Sequence, residues 1–204
     1  TWTYETREDL GRQVPDRVVV PTGDGNIISG TWKGWQDLRS AGLIDRVPKI
    51  DCAQSTASDA ICRTVKRLRA SGDFDGDWSA VTVDEVSATT LADSISVDQP
   101  RDGLAAVRAV MESGGEAVTV PDTEILAALP EMARTTWIFP EPAAAAAWAA
   151  LKAMARAGLA DPDELVVCLV SGNGLKDAAR AGEATAPPLV IEPELGAVTK
   201  ALDM

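Results

Sequence analysis

The segment Val18–Gly34, VVVPTGDGNIISGTWKG, limits what this chain can fold into more than any other. A β-branched run, Val18–Val20, stops at Pro21. A turn with two glycines follows, Thr22-Gly23-Asp24-Gly25-Asn26, and helical spacing begins at Ile27. β-Branched residues suit a pleated strand, proline ends a ladder, and glycine adopts backbone angles that other residues avoid. Strand, glycine turn and helix start together form an anion cradle. Backbone N–H groups converge there, the first helical turn leaves its own N–H groups open, and the helix dipole adds roughly half a positive charge. A phosphate group matches that cradle in charge and size. On the loop alone, a strand-to-helix turn that binds nothing accounts for the residues equally well.

Two common phosphate motifs are excluded here. A nucleotide-triphosphate loop requires Lys and then Ser or Thr after its last glycine, whereas Gly30 is followed by Thr31 and Trp32. The dinucleotide pattern G-x-G-x-x-G fits Gly23 and Gly25 but meets Ile28 where its third glycine belongs.

Composition narrows the function classes. The 204 residues suit one domain or part of a larger one, with apolar material for a core. Nineteen basic against 31 acidic residues give a net charge of −12, which disfavours nucleic acid or an anionic membrane as partner. No apolar run approaches the ~18–20 residues of a membrane span, and no secretory signal is visible. Cys52, Cys62 and Cys168 are widely spaced and odd in number, and read as reduced core thiols of a cytoplasmic protein. There is no histidine, which removes a Ser-His-Asp triad, a Cys-His dyad and any histidine metal site within the chain, and no metal site is expected. The chain begins at Thr1 rather than Met and runs at once into helical spacing, which reads as the middle of a longer protein.

In chain order, the pattern predicts a polar-faced helix over Thr3–Gly11, a buried strand over Arg17–Val20 and the cradle helix over Asn26–Ala41, with Gly42 as its cap. A strand at Lys49–Gln54 and a helix at Ser58–Arg69 follow, then an acidic, solvated loop at Gly72–Trp78. A short helix is expected at Thr89–Ile95. Leu104, Val107, Val110 and Met111 recur at helical spacing after the capping residue Asp102. Glu116–Val120 reads as a strand, and the helix opening at Asp122 is expected to break or kink at Pro130. Glu141–Ala157, with five consecutive alanines, is the clearest helix, and Leu165–Val170 is an apolar strand. The tail, 185–204, is weakly patterned. Strands alternating with helices of about 10–15 residues argue for an α/β fold, a three-layer αβα arrangement around a mostly parallel sheet.

The strand Leu165–Val170 ends in a second glycine turn, Ser171-Gly172-Asn173-Gly174, opened by a hydroxyl residue. Ligands of open α/β sheets collect at the carboxyl ends of strands, so one ligand with a phosphate and a distant hydrogen-bonding ring atom could reach both turns.

Taken together, VVVPTGDGNIISGTWKG, GLIDRVPKIDCAQ (42–54), TLADSISV before Pro100-Arg101, ESGGEAVTVPDTEI (112–125), FPEPAAAAA (139–147) and VVCLVSGNGLKD (166–177) resemble threonine synthase. That family belongs to the fold-type II pyridoxal-phosphate enzymes, the tryptophan synthase β-like group. The motifs run in the family's order from Thr3 to Asp177. They are shared in part with serine/threonine dehydratases and cysteate synthase, while G-N-G-L-K-D and the Gly-Asp-Gly turn point to threonine synthase.

The resemblance implies the C-terminal half of such an enzyme: residues 1–184 as a cofactor-binding part and 185–204 as a tail. The Schiff-base lysine of the family lies in the other half, and neither Lys33 nor Lys176 matches its motif. Both read as surface or helix-terminal lysines. Backbone N–H groups of Thr22, Gly23, Asp24, Gly25 and Asn26 are implied to hold the phosphate of pyridoxal 5′-phosphate. Ser171 is implied to face its ring nitrogen, with Glu141 and Asn173 near the cofactor and Asn173 ordering the turn. Trp137 stands where the family has a small residue and is implied to narrow the substrate pocket. Asp24 replaces a common asparagine and is expected to turn its carboxylate away from the cradle or onto local N–H groups. A small amino-acid substrate and a homodimer of the complete enzyme are also implied. The activity implied is conversion of O-phosphohomoserine and water to threonine and phosphate. A dehydratase, a β-replacement synthase or a non-catalytic binding module on the same scaffold are the alternatives.

Overall fold

A computed structural model describes residues 1–72 and 74–202, so Asp73 of the acidic loop and Asp203 and Met204 of the tail lie outside the described residues. The elements in order are α1 (Trp2–Asp9), β1 (Arg17–Pro21), α2 (Asn26–Ser40), β2 (Lys49–Ser55), α3 (Ala60–Ser71), α4 (Gly103–Ser113), β3 (Ala117–Val120), α5 (Asp122–Thr136), α6 (Pro142–Arg156), β4 (Val166–Cys168), α7 (Ala178–Glu183) and α8 (Leu195–Leu202). The four strands form one parallel sheet in the order β3-β2-β1-β4. This is the expected α/β class.

Alternation along the strands divides two cores. Val18 and Val20 of β1, with Ile50 and Cys52 of β2, point toward Ile28 and Trp35 of α2, Ile61 and Val65 of α3, and Val107 of α4. Val19, Ala53 and Val120 point the other way, toward Ile125 and Leu129 of α5 and the alanines of α6. Helices therefore cover both faces, giving three layers. In α6, Pro142 sits at the first helical position, where its missing N–H costs nothing. Ala143–Ala147 are then buried to within 2% of complete, because small side chains let this helix lie close against the sheet.

The largest buried charge is Arg17, 2% exposed, on the first residue of β1. Its Nη1 donates to both oxygens of Asp51 on β2 at 2.8 and 2.9 Å, its Nε to Glu164 just before β4 at 2.8 Å, and its Nη2 to the Leu159 carbonyl at 2.9 Å. One guanidinium thus joins three neighbouring strands at their starts. Hydrogen bonding from Arg17, helped by Lys49, pulls the Glu164 carboxyl down to about 2 against the effect of burial. Cys52 and Cys62 are buried free thiols with sulfurs 3.7 Å apart, and burial raises the Cys62 thiol. Among the described residues, no helix is long and apolar enough to cross a membrane.

Four expectations are corrected. α5 runs unbroken through Pro130: its buried residues Ile125, Ala128, Leu129 and Met132 lie on both sides of the proline, and their packing outweighs one lost backbone bond. At Thr89–Ile95 only Asp93–Ile95 forms a single 3-10 turn. The Thr89 and Leu91 N–H groups go instead to the Ala57 carbonyl and to Asp122, replacing helical bonds. β4 is shorter than Leu165–Val170, since its neighbour β1 ends at Pro21, which has no N–H for a further ladder bond. The tail contains α8, where Leu195, Val198 and Leu202 recur at helical spacing.

Replacing Arg17 with Met should cost about 3–5 kcal/mol in denaturant unfolding, because it strands the buried Asp51 carboxylate. Glu164 supplies a pH signature. Its folded-state value lies below its ordinary 4.5, so its stabilising effect is complete above that pH and fades as pH falls toward 2. The stability difference between the parent and Glu164→Gln should shrink over that window; a difference constant across it would contradict the clamp.

Candidate functional site

β1 delivers the chain to the glycine turn in a braced state. The Thr22 N–H donates to the Ala53 carbonyl at 2.9 Å and the Thr22 hydroxyl to the Val20 carbonyl at 2.9 Å. The expectation that the Thr22 amide joins the cradle is therefore corrected: Thr22 lines the cavity, but its N–H is committed to the sheet. The N–H groups of Gly23, Asp24, Gly25 and Asn26 have no acceptor among the described residues. They stand at the N-terminus of α2, where the dipole favours an anion.

Both glycines are required by close approach. A Cβ on Gly23 would lie 2.8 Å from the Ile95 Cα, so this turn rests against the Ser94–Val97 segment. Gly25 has φ +95°, in the left-handed region, and a Cβ there would lie 2.7 Å from the Asp102 carbonyl oxygen at the start of α4. Asp24 fastens the same contact. Its Oδ1 accepts from the Arg101 N–H at 2.8 Å and its carbonyl from the Asp102 N–H at 3.0 Å. Its carboxylate is thus engaged with a neighbouring amide, leaving the loop amides free of it.

The Ser94–Val97 wall is itself fixed by buried polar groups. Asp122 accepts from the hydroxyls of Ser55 and Thr90 and from the Leu91 N–H, and these bonds lower its carboxyl although burial raises it. Ser58 donates to the Ile95 carbonyl at 2.9 Å and accepts from the Val97 N–H at 3.1 Å.

The second turn arrives beside the first because β4 pairs directly with β1, Val19 opposite Cys168. A cavity of about 280 Å³ is lined by both turns, including Ser171. The Glu141 N–H donates to the Gly172 carbonyl at 2.9 Å, and the Glu141 carboxylate packs over Gly172, where any side chain would collide. Asn173 Oδ1 accepts from the Leu175 N–H at 2.9 Å, and the Gly174 N–H donates to the Phe139 carbonyl at 2.8 Å. Asn173 orders the turn, as expected, and does not line the cavity. Burial pushes the Cys168 thiol, on the strand feeding this turn, up to about 12, so it stays protonated.

Three residues extend the sequence reading. Lys176 is exposed, as expected of a surface lysine, yet its Nζ donates to Ser94 Oγ at 2.7 Å and stands 3.0 Å from Glu141 Oε2, on the cavity wall. Glu141 is only 4% exposed. Ser94 comes from a segment remote in sequence from both turns, and nothing in its spacing shows that Gly23 presses against it. Lys33 points outward, 72% exposed and bonded to Asp37, as expected. Trp137 does not line this cavity. It takes a left-handed conformation, φ +62°, at the end of α5 and swings out to 92% exposure, away from the cavity.

The site can therefore bind an anion through open amides, present a hydroxyl at its far side, and hold a buried carboxylate against an ammonium. Gly25→Ala should cost more stability than Gly42→Ala. Both have positive φ, but a Cβ at Gly42 meets open space. About 1 kcal/mol is expected at Gly42 and distinctly more at Gly25. Equal losses in denaturant titrations would remove the proposed contact with Asp102.

Residues 1–172 match the protein family described as pyridoxal-phosphate dependent enzyme. The chain is 34% identical over 202 residues to a threonine synthase of Methanocaldococcus jannaschii, covering 99% of this chain and 47% of that protein. It is 33% identical over 199 residues to a threonine synthase of Methanosarcina acetivorans, covering 98% and 47%. It spans about half the length of these curated relatives. Among solved structures, a pyridoxal-phosphate-bound threonine synthase from Brucella melitensis matches with a TM-score of 0.62 at 15% identity, over 92% of this chain and 42% of that one. A threonine deaminase from Solanum lycopersicum matches at 0.66 and 18%, over 90% and 46%. At these identities the structural matches speak for the fold.

Proposed function

The chain belongs to the pyridoxal-phosphate dependent enzyme family, and on that premise we propose that it forms the cofactor-phosphate side of a threonine synthase-like lyase. The proposed reaction converts O-phosphohomoserine and water to threonine and phosphate. The observation that carries this reading is the single cavity shared by the Gly23–Asn26 turn and Ser171 at adjacent strand ends. The sequence relatives favour threonine synthase over other chemistries on this fold.

The residues fit the cofactor. Four amides without acceptors, crowded glycines that a side chain would displace, and a helix N-terminus suit a phosphate. The amides of Gly23, Asp24, Gly25 and Asn26 would hold it, and the Ser171 hydroxyl would face the ring nitrogen. When bound, pyridoxal phosphate supplies an electron sink for a developing negative charge on the amino-acid carbon skeleton. Ser171 would offer the ring nitrogen a neutral hydroxyl, which would leave that nitrogen less protonated than a carboxylate would. This suits elimination and replacement chemistry. The braced β1 end and the Ser94–Val97 wall keep the phosphate amides in place and shield them from water on one side.

The covalent anchor comes from outside these residues in this reading. Lys33 points away from the cavity and Lys176 is tied to Glu141 and Ser94. Borohydride reduction of this chain with pyridoxal phosphate should trap no stoichiometric adduct at one lysine; full trapping at Lys33 or Lys176 would misplace the catalytic centre. In an enzyme that includes the lysine-bearing half, Ser171→Ala should lower kcat about tenfold, the worth of one lost polar contact, while cofactor Kd stays within about threefold. A cofactor affinity lost in parallel with kcat would argue against these separate roles.

A further inference from the structure

The cavity contains an electrostatic problem. A phosphate ligand is dianionic or nearly so, and two carboxylates line the space it would occupy, Asp24 and Glu141. Asp24 is turned onto the Arg101 N–H. Glu141 has no comparable amide: it is 4% exposed, packed over Gly172, with Ser94 Oγ at 3.4 Å from its Oε2. Lys176 is the one basic side chain among the described residues that line the cavity, and its ammonium stands 3.0 Å from that same Oε2. These three residues, with Ala143, also line a neighbouring cavity of about 290 Å³, so they stand at the partition between the two spaces.

We propose that Lys176 is a positioning residue that makes the cavity accept a phosphorylated ligand, by neutralising Glu141 and holding its carboxylate to the partition with Ser94. This rests on the phosphate reading above. The physical reason is direct. Without the ammonium, a carboxylate that is 4% exposed would line the same cavity as the phosphate, and like charges at short range repel. The pairing also joins three segments: Ser94 of the wall, Glu141 at the start of α6, and the stretch after β4 that carries Lys176.

The test is binding by the 204-residue chain, measured by calorimetry with pyridoxal 5′-phosphate and with pyridoxal, which lacks the phosphate. Lys176→Met should weaken pyridoxal phosphate about tenfold, as expected for one uncompensated like charge, and change pyridoxal little. Lys176→Arg should bind as the parent does. Adding Glu141→Gln to Lys176→Met should restore affinity to within about threefold, because the charge that needed compensation is gone. Glu141→Gln alone should bind inorganic phosphate more tightly than the parent, which keeps the proposal testable if Lys176→Met folds poorly. Additive losses in the double variant, or equal losses for pyridoxal and pyridoxal phosphate, would reduce Lys176 to a packing role and overturn the proposal. Parent-like binding by Lys176→Met would overturn it too, while leaving the phosphate site standing. A parent chain that binds no phosphate compound would overturn both.

Discussion

The parallel pairing of β1 with β4 is the constraint on which the rest of the structure depends. Arg17, the first residue of β1, is clamped by Asp51 from β2 and by Glu164 from the approach to β4. The clamp lies at the strand starts, and the two glycine turns lie at the opposite ends. Holding three starts together makes the ends of β1 and β4 emerge side by side, Val19 level with Cys168. A slip of β4 by one residue would invert its faces and carry Ser171 away from the Gly23–Asn26 amides. A buried ion cluster at one end of the sheet thus sets the geometry of the site at the other. Such clusters are weak sources of net stability, and fixing register is the role this one can fill.

A second layer of constraint acts on the loops. The glycine turn is shaped by what it touches: the Ile95 backbone against Gly23, and the Asp102 carbonyl against Gly25. Those contacts hold only because Asp122 and Ser58 fix the wall, and because the Asp24 carboxylate ties the turn to Arg101. The loop amides stay open as a result. Gly25 is therefore demanded first by the start of α4 and by its own positive φ, rather than by crowding of a ligand alone.

Much of this was legible in the residues. Val18–Val20, Pro21 and the two glycines specify strand, turn and helix start by local chemistry, and the alanine run after Glu141-Pro142 specifies α6. Ser171 was legible because it follows an apolar strand in a parallel fold. What failed was decided at long range. Pro130 ends helices by local rules, yet packing on both sides carries α5 through it. Thr89–Ile95 has helical spacing, yet Ala57 takes the Thr89 N–H, and Asp122 takes the Thr90 hydroxyl and the Leu91 N–H. The Thr22 amide is spent on Ala53, a partner set by strand register. Lys176 and Ser94 stand 82 positions apart and meet only in the folded chain. Trp137 is legible as an oddity, but its outward turn depends on where α5 ends.

In the reading proposed above, one cavity, built from two turns at adjacent strand ends, receives one phosphorylated ring. Amide-resolved NMR during titration with pyridoxal 5′-phosphate tests it most directly. The N–H signals of Gly23, Asp24, Gly25 and Asn26 should shift together with that of Ser171, along one saturation curve. Inorganic phosphate should move the first group and leave Ser171 nearly still. Shifts confined to one turn with pyridoxal phosphate, or two curves with different midpoints, would contradict a shared site.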